Sequence, residues 1–407
     1  MTSVAQARPT VMQRLLADFG DGRIDTHLVR HGRVPPLDPS QVIGLLRDAG
    51  LTGRGGAGFP VWRKLGAVVG TGRPAVVIAN GAEGEPASGK DQILMAYQMN
   101  LILDGLQLLA RAAGARAAHF YAPAAVLSGL PPLLADRRSA GIDTLPVSLH
   151  PSPDAFVAGE ESAAASAVAG RGAVPTDKLV RIASAGPGGA PTVVQNVETL
   201  AHLAMIARYG AGWFRAAGTP DEPGTFLATV TGAVPAPGVV EAGYGVPLGD
   251  LIAAAGGPSA VLGAVLIGGY HGGWVPVDPA LPVSRAALAP FGASPGAGVV
   301  VALPASTCGL GETARIAGYL AGESARQCGP CVNGLPRLAA TMTDLAYRRS
   351  RPGLPAEVDR LIGLVTGRGA CRHPDGTARL IASAMRAFEA DVSAHLAGYC
   401  LATGATR

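Results

Sequence analysis

The stretch from Gly50 to Lys64, Gly-Leu-Thr-Gly-Arg-Gly-Gly-Ala-Gly-Phe-Pro-Val-Trp-Arg-Lys, sets five glycines and an arginine between two segments of helical pattern. Glycines let a backbone approach a ligand closely and take positive φ, and a helix opening after Pro60 would aim free N–H groups into the gap. The stretch reads as a phosphate cradle, to which Arg54 and Lys64 add charge, or as a loop kept for tight packing. Gly53-x-Gly55-x-x-Gly58 has dinucleotide spacing, but that fingerprint needs a preceding strand, and Gln41 to Asp48 has a helical pattern. A Walker loop is excluded because no Gly-Lys-Ser/Thr closes the run.

A short helix is expected near Val11 to Phe19, within an N-terminal arm. Pro74 to Ala79 is a compact β-branched run, predicted as a buried strand. Behind it, Asn80-Gly-Ala-Glu83-Gly-Glu85-Pro-Ala-Ser-Gly-Lys90-Asp91 brings acids, an amide and a lysine to the carboxyl end of that strand, where open α/β sheets bind ligands. A solvated polar loop is the plainer alternative. Ile93 to Ala113 has helical spacing and Ala117 to Ala122 reads as a second strand, which together suggest a parallel βαβ arrangement. Phe156 to Ser162 ends in Glu160 and Glu161 at a strand-to-helix junction. These carboxylates suit a sugar, a flavin ring or a nicotinamide ribose, or simply the positive end of a helix. Pro191 to Leu200 reads as the opening of another helix, with Gln195, Asn196 and Thr199 offering donors near its start.

From Gly224 to Val275 the order strand, turn, strand, helix (Leu248 to Ala255), strand (Val261 to Ile267) predicts a small β-grasp-like module, and beyond Gly311 helical patterns dominate. With 407 residues, 48% hydrophobic and 15% charged, the chain can bury a large core in two or three domains. The net charge of +4, from 33 basic and 29 acidic residues, is too slight to imply a nucleic-acid partner. Met1 to Leu15 lacks an apolar signal core, and the uncharged run Leu251 to Tyr270 is broken by Gly256-Gly257-Pro258, so a cytoplasmic protein that does not itself span a membrane is expected. Five cysteines, three of them between Cys308 and Cys331, suit metal or cluster ligation better than a disulfide framework.

Taken in order, Gly-Arg-Gly-Gly-Ala-Gly-Phe-Pro, Asn-x-x-Glu-Gly-Glu-Pro, Gly-Glu-Glu, Pro-Thr-Val-Val-x-Asn-Val-Glu-Thr and Cys-Gly-Pro-Cys resemble one family over about residues 40 to 390. It is the FMN- and NADH-binding flavoprotein subunit of respiratory NADH:quinone oxidoreductase, shared with diaphorase subunits of NAD-linked hydrogenases and formate dehydrogenases. The resemblance implies an α/β chain: an arm (1–36), a Rossmann-like domain for FMN and NADH (37–218), a small β-grasp or soluble-ligand-binding domain (219–298), and a C-terminal helical bundle carrying an iron–sulfur site (299–407). By position, it implies FMN binding by Gly53, Arg54, Gly55, Gly56, Gly58, Lys64, Asn80, Glu83, Gly159, Glu160, Glu161, Asn196 and Thr199. Phe59, Glu85 and Lys178 would lie toward NAD(H) or NADP(H), and Glu83 and Glu161 would be the catalytic carboxylates.

The departures from that family are specific. Its Asn-Ala-Asp-Glu is here Asn80-Gly81-Ala82-Glu83, and its Asn-Asn is Gln195-Asn196. Of the phenylalanines that sandwich adenine, Phe59 is kept while Ala67 and Arg181 replace two others, so NADH, NADPH or neither stays open. A [4Fe–4S] cluster is implied on Cys328, Cys331 and Cys371, but Ala325 stands at the first ligand position. Cys308, Cys400 or a non-cysteine group would have to supply the fourth ligand, while a redox Cys-x-x-Cys or a zinc site is the alternative. The resemblance implies electron transfer from NADH or NADPH through FMN to a one-electron acceptor such as a ferredoxin-like subunit, a quinone-reducing partner or a membrane cytochrome, with a partner holding the chain at the periphery of the inner membrane. A ferredoxin-linked flavoprotein without a nicotinamide site, and a non-catalytic docking scaffold, are the other readings.

Overall fold

A computed structural model of the protein describes residues 14–17, 22–349 and 351–404. The chain divides into two units, Met1–Leu227 with Val239–Gly245, and Ala228–Gly238 with Val246–Arg407. It is a mixed α/β protein with a parallel sheet and a helical C-terminal part.

The first unit is built on β1 (Val76–Asn80), β2 (Ala118–Pro123), β3 (Val147–Ser152) and β4 (Thr192–Asn196), in the order β3-β2-β1-β4. Every neighbouring pair is parallel. Val77, Ile78, Ala79, Val193 and Val194 are buried, as expected for a sheet covered by helices on both faces. The helix expected before the glycine loop is Pro39–Ala49, opened by a capping box from Asp38 and Gln41, and the helix after Pro60 is Val61–Val69.

Four local expectations are corrected. Pro191 to Asn196 is the strand β4, not the opening of a helix, because Thr192, Val193 and Val194 pair with Val76, Val77 and Ile78 of β1. The helical segment begins only at Val197 and extends to Arg215, broken at Gly210, whose φ of 85° leaves the helical region. Phe156–Gly159, read as the end of a strand, is one turn of 3-10 helix. The run Ile93 to Ala113 is split at Gln98, whose φ of −126° leaves the helical region, into Lys90–Tyr97 and Met99–Ala112, bent by 94°. Of the helix expected at Val11 to Phe19, residues 14–17 form a bend and the rest lies outside the described residues; the arm instead carries a helix at Ile24–His31.

Helix Met99–Ala112 is buried almost all round and crosses Val197–Arg215 so closely that a Cβ on Gly105 would lie 2.0 Å from the Leu200 carbonyl oxygen. Its one carboxylate, Asp104, accepts from His27 Nε2 at 2.7 Å, from Arg137 at 2.6 Å and from Arg208. Burial alone would raise its pKa, but these partners hold it well below the carboxylate range.

The division between units falls within β5 (Thr225–Gly232) and at the start of β6 (Gly238–Gly243). In the second unit, β7 (Leu262–Ile267), β8 (Gly273–Val275) and β9 (Val299–Pro304) follow, with the expected helix at Leu248–Ala254. The strand β9, at the start of the segment read as helical, lies centrally: it runs parallel to the end of β5 and antiparallel to β7, which carries β8 on its other side. Helices Gly309–Gly322, Leu335–Ala346, Leu354–Val365, His373–Ala387 and Glu389–Leu396 complete the unit. Buried Trp274 joins sheet to helices, its indole N–H donating to Thr313 Oγ1 at 3.0 Å and its backbone N–H to Ser383 Oγ at 3.0 Å. Among the described residues no single helix is long and apolar enough to cross a membrane; the bent pair around Gln98 is core of the first unit.

Candidate functional site

Parallel pairing sets Asn80 opposite Asn196 at the carboxyl ends of β1 and β4, the edge at which open α/β sheets receive ligands. Asn80 Nδ2 donates to the Gly159 carbonyl at 2.9 Å, drawing in the Gly-Glu-Glu segment. Asn196 caps the following helix by accepting from Glu198 N–H at 3.0 Å and donates through Nδ2 to Asp91 at 2.7 Å. The glycine loop is pinched by Gly53 N–H to the Phe59 carbonyl at 2.9 Å, and Gly56 and Gly58 turn it with φ of 100° and 61°. It lies against the same edge: a Cβ on Gly55 would be 3.4 Å from Asn196 Cβ.

The charged residues divide into those tied into the scaffold and those at the edge. Arg54, expected to face a phosphate, is 3% exposed; its guanidinium donates to the Thr225 carbonyl at 3.1 Å and to Thr52 Oγ1 at 2.8 Å, and stacks 4.8 Å over Tyr244. Its backbone N–H donates to Thr199 Oγ1, so Thr199 anchors the loop. Glu83 caps helix Lys90–Tyr97, accepting from the N–H of Asp91 at 3.1 Å and of Gln92 at 3.0 Å and from Ser88 Oγ. Glu85 accepts from Ala87 N–H within the same loop. Glu160 caps the next helix through Ser162 and Ala163 N–H, with Lys178 Nζ 3.5 Å away. Glu161 keeps 39% of its side chain exposed and pairs with Lys64 Nζ at 2.5 Å, while Lys64 also donates to the Val194 carbonyl of β4 at 2.9 Å. Phe59 is half exposed.

Beneath these, Lys90 and Asp91 of the loop that the sequence marked as ligand-binding close on Glu198, to which sequence reasoning gave no role. Lys90 Nζ sits 2.6 Å from Asp91, 2.9 Å from Glu198 and 3.3 Å from Asn196 Oδ1, with all three charges buried. Burial disfavours the Lys90 charge, yet Asp91, Glu198 and Glu83 reverse this and raise its pKa. Glu198 is likewise opposed by burial but brought down to about 2 by Lys90, leaving Asp91, raised by its burial, as the weaker acid of the pair. Gln195 Nε2 is buried without a partner, a donor left over next to Asn196. The converging amides, the glycine turns and the partly buried Lys64–Glu161 pair fit a flavin mononucleotide, with Arg54, Glu83 and Thr199 positioning the loops.

In the second unit, Cys328 and Cys331 Sγ atoms are 3.6 Å apart, Cys331 and Cys371 are buried, and Cys371 is near enough to act on the Cys331 thiol. Pro330–Gly334 forms a π-turn, a feature frequent at functional sites. Burial works against a Cys328 thiolate, but backbone N–H groups of Ala370 and Cys331 hold its pKa below the ordinary range. Soft thiols are the donors of an iron–sulfur cluster, and Cys328 and Cys331 are paired in that way, with Cys371 in electrostatic reach of Cys331. Cys308 and Cys400 do not complete it. They lie beyond the N-terminal end of helix Gly309–Gly322, whereas His373, two residues after Cys371, donates to the Leu320 carbonyl at its other end, and a helix of that length spans about 20 Å.

Residues 46–205 match the model of the Nuo51 FMN-binding domain and residues 311–395 that of the NADH-ubiquinone oxidoreductase-F iron–sulfur binding region. The second of the NADH-quinone oxidoreductase F subunits of Rhizobium meliloti (strain 1021) is 30% identical over 375 residues, covering 88% of this chain and 89% of the relative. The corresponding F subunit of Mycobacterium tuberculosis (strain ATCC 25618 / H37Rv) is 28% identical over 394 residues, covering 89% and 86%. A crystal structure of an air-oxidized NAD+-reducing [NiFe]-hydrogenase superposes with a TM-score of 0.84 at 30% identity, over 96% of this chain and 68% of that one. With the flavin edge in one unit and the cysteine group in the other, the chain belongs to the family of NADH-quinone oxidoreductase F subunits.

Proposed function

We propose that the protein is the electron-entry subunit of an oxidoreductase, taking electrons from NADH through FMN to an iron–sulfur cluster and then to a one-electron acceptor. The observation that carries this is the meeting of Asn80, Gly159, Asn196, the glycine loop and the Lys64–Glu161 pair at one sheet edge. Bound there, FMN supplies hydride acceptance and single-electron release. The chain's own work is to bind and orient. Gly53, Gly55, Gly56 and Gly58 give backbone room for the phosphate, Asn80 and Asn196 offer amides, and Lys64 supplies a cation beside the accessible carboxylate of Glu161. Phe59, Glu85 and Lys178 face the nicotinamide nucleotide, and Cys328, Cys331 and Cys371 hold iron.

Ala67 and Arg181 are both exposed, so the adenine clamp is reduced to Phe59 while an exposed guanidinium stands ready for a 2′-phosphate. We therefore extend the proposal to NADPH as a donor comparable to or better than NADH. The acceptor is a ferredoxin-like or membrane-bound electron-transfer partner. Heat release and chromatography of the flavin, followed by rapid anaerobic mixing with NADH, NADPH and a reduced ferredoxin, test the reading. FAD in place of FMN refutes the cofactor assignment, and flavin bleaching by ferredoxin alone refutes the nucleotide donor.

A further inference from the structure

Away from the cysteines of the iron–sulfur region, Cys308, His395 and Cys400 bring one ligand atom each within 4.8 Å of one another. His395 and Cys400 are 1% and 2% exposed, and Cys308 is half-buried. Cys308 Sγ is 3.6 Å from His395 Nε2. Two ligands on adjacent corners of a zinc tetrahedron, with Zn–S about 2.3 Å and Zn–N about 2.0 Å, stand about 3.5 Å apart.

The tautomer of His395 is that of a metal ligand. His395 Nδ1 lies 3.1 Å from the Leu345 carbonyl, which can only accept, so the proton is on Nδ1 and Nε2 presents its lone pair to the sulfurs. Both sulfurs accept hydrogen bonds: Cys308 from Gly311 N–H at 3.3 Å, and Cys400 from Thr403 and Ala402. Cys308 occupies the N-cap of helix Gly309–Gly322, a place where serine or aspartate would cap better, so capping alone does not account for a thiol there. Residues 311–395, matched by the iron–sulfur region, leave Cys308 and Cys400 outside.

We propose that Cys308, His395 and Cys400 bind one zinc ion, with water in the fourth position, as a site separate from the iron–sulfur cysteines. Two thiolates and an imidazole are soft-to-borderline donors that suit zinc. The ion would staple the turn at Cys400 to the start of helix Gly309–Gly322, closing the long segment that contains Cys328, Cys331 and Cys371.

The full chain, purified anaerobically and supplied with one equivalent of zinc, is assayed for zinc and iron by mass spectrometry and for zinc coordination by X-ray absorption. The expected result is about one zinc per chain with two sulfur and two nitrogen or oxygen neighbours. That zinc should fall at least tenfold in Cys308→Ser and Cys400→Ser and be unchanged in Cys328→Ser. Cys308→Ser keeps a good helix cap, so a folded variant is expected, and the coordination of the unmodified chain decides independently of any variant. Three or four sulfur neighbours, zinc retained in Cys308→Ser, or a Cys308–Cys400 disulfide in the anaerobic protein would overturn the site.

Discussion

Lys90 Nζ lies 2.9 Å from Glu198 Oε2, a buried ion pair that joins the first turn of helix Lys90–Tyr97 to the helix after β4. Breaking a buried pair by removing one partner strands the other charge. Lys90→Met is expected to destabilise the first unit by about 3–5 kcal/mol, read from urea unfolding. A loss below about 1 kcal/mol would mean that the pair is hydrated and does not organise the edge.

Steric contacts separate loop geometry from ligand contact. A Cβ on Gly84 would lie 2.5 Å from the Phe156 carbonyl and one on Gly159 2.9 Å from the Ala82 carbonyl, so Gly84→Ala and Gly159→Ala should disturb the edge even without flavin. Gly55 meets only Asn196 Cβ at 3.4 Å. Gly55→Val should therefore leave the circular dichroism spectrum intact and lower bound FMN at least tenfold. Full flavin content in that variant would remove the glycine loop from the site.

Glu83 and Glu161 should part company in kinetics. Glu83→Gln weakens the cap of helix Lys90–Tyr97, at a cost of about 1 kcal/mol, with a modest effect on NADH-driven ferricyanide reduction. Glu161→Gln should leave the unfolding midpoint unchanged and reduce turnover at least tenfold. The reverse pattern would exchange their roles.

Ala325 stands where a fourth thiolate is expected. Ala325→Cys should increase iron content and slow the bleaching of the cluster in air, whereas Cys328→Ser and Cys371→Ser should lower iron tenfold. Iron unchanged in both serine variants would refute the ligand set.

Acid should weaken the first unit in two windows. Burial lowers His202 to about 4 from 6.5, against the pull of Glu198 and with help from Arg54. Between these values the unfolded chain takes up a proton that the folded chain refuses, so this stability is complete above pH 6.5 and declines as pH falls toward 4. Glu198, brought to about 2 by Lys90 against its burial, contributes stability present above pH 4.5 and lost as pH falls through about 2. By pH 5 the His202 contribution has fallen by about 2 kcal/mol, so His202→Leu should flatten unfolding free energy between pH 7 and 5 by that amount. Parallel pH profiles for the two proteins would refute it.

The sequence by itself determined the local elements whose causes are local. The helix after Pro60, the β-branched strand before Asn80 and the strand-turn-strand-helix run after Gly224 stand where propensity and turn residues place them, and ordered motifs identified the family. Tertiary structure alone decided what depends on distant partners. Pro191 to Asn196 is a strand because β1 lies beside it, Arg54 is a brace because Thr225 and Tyr244 surround it, and Glu83 is a cap because a helix begins at Lys90. Cys308 lies far from Cys328 and close to His395 for the same reason. Hydrogen bonds and ion pairs act over a few ångströms, and only the folded chain sets which residues come that close.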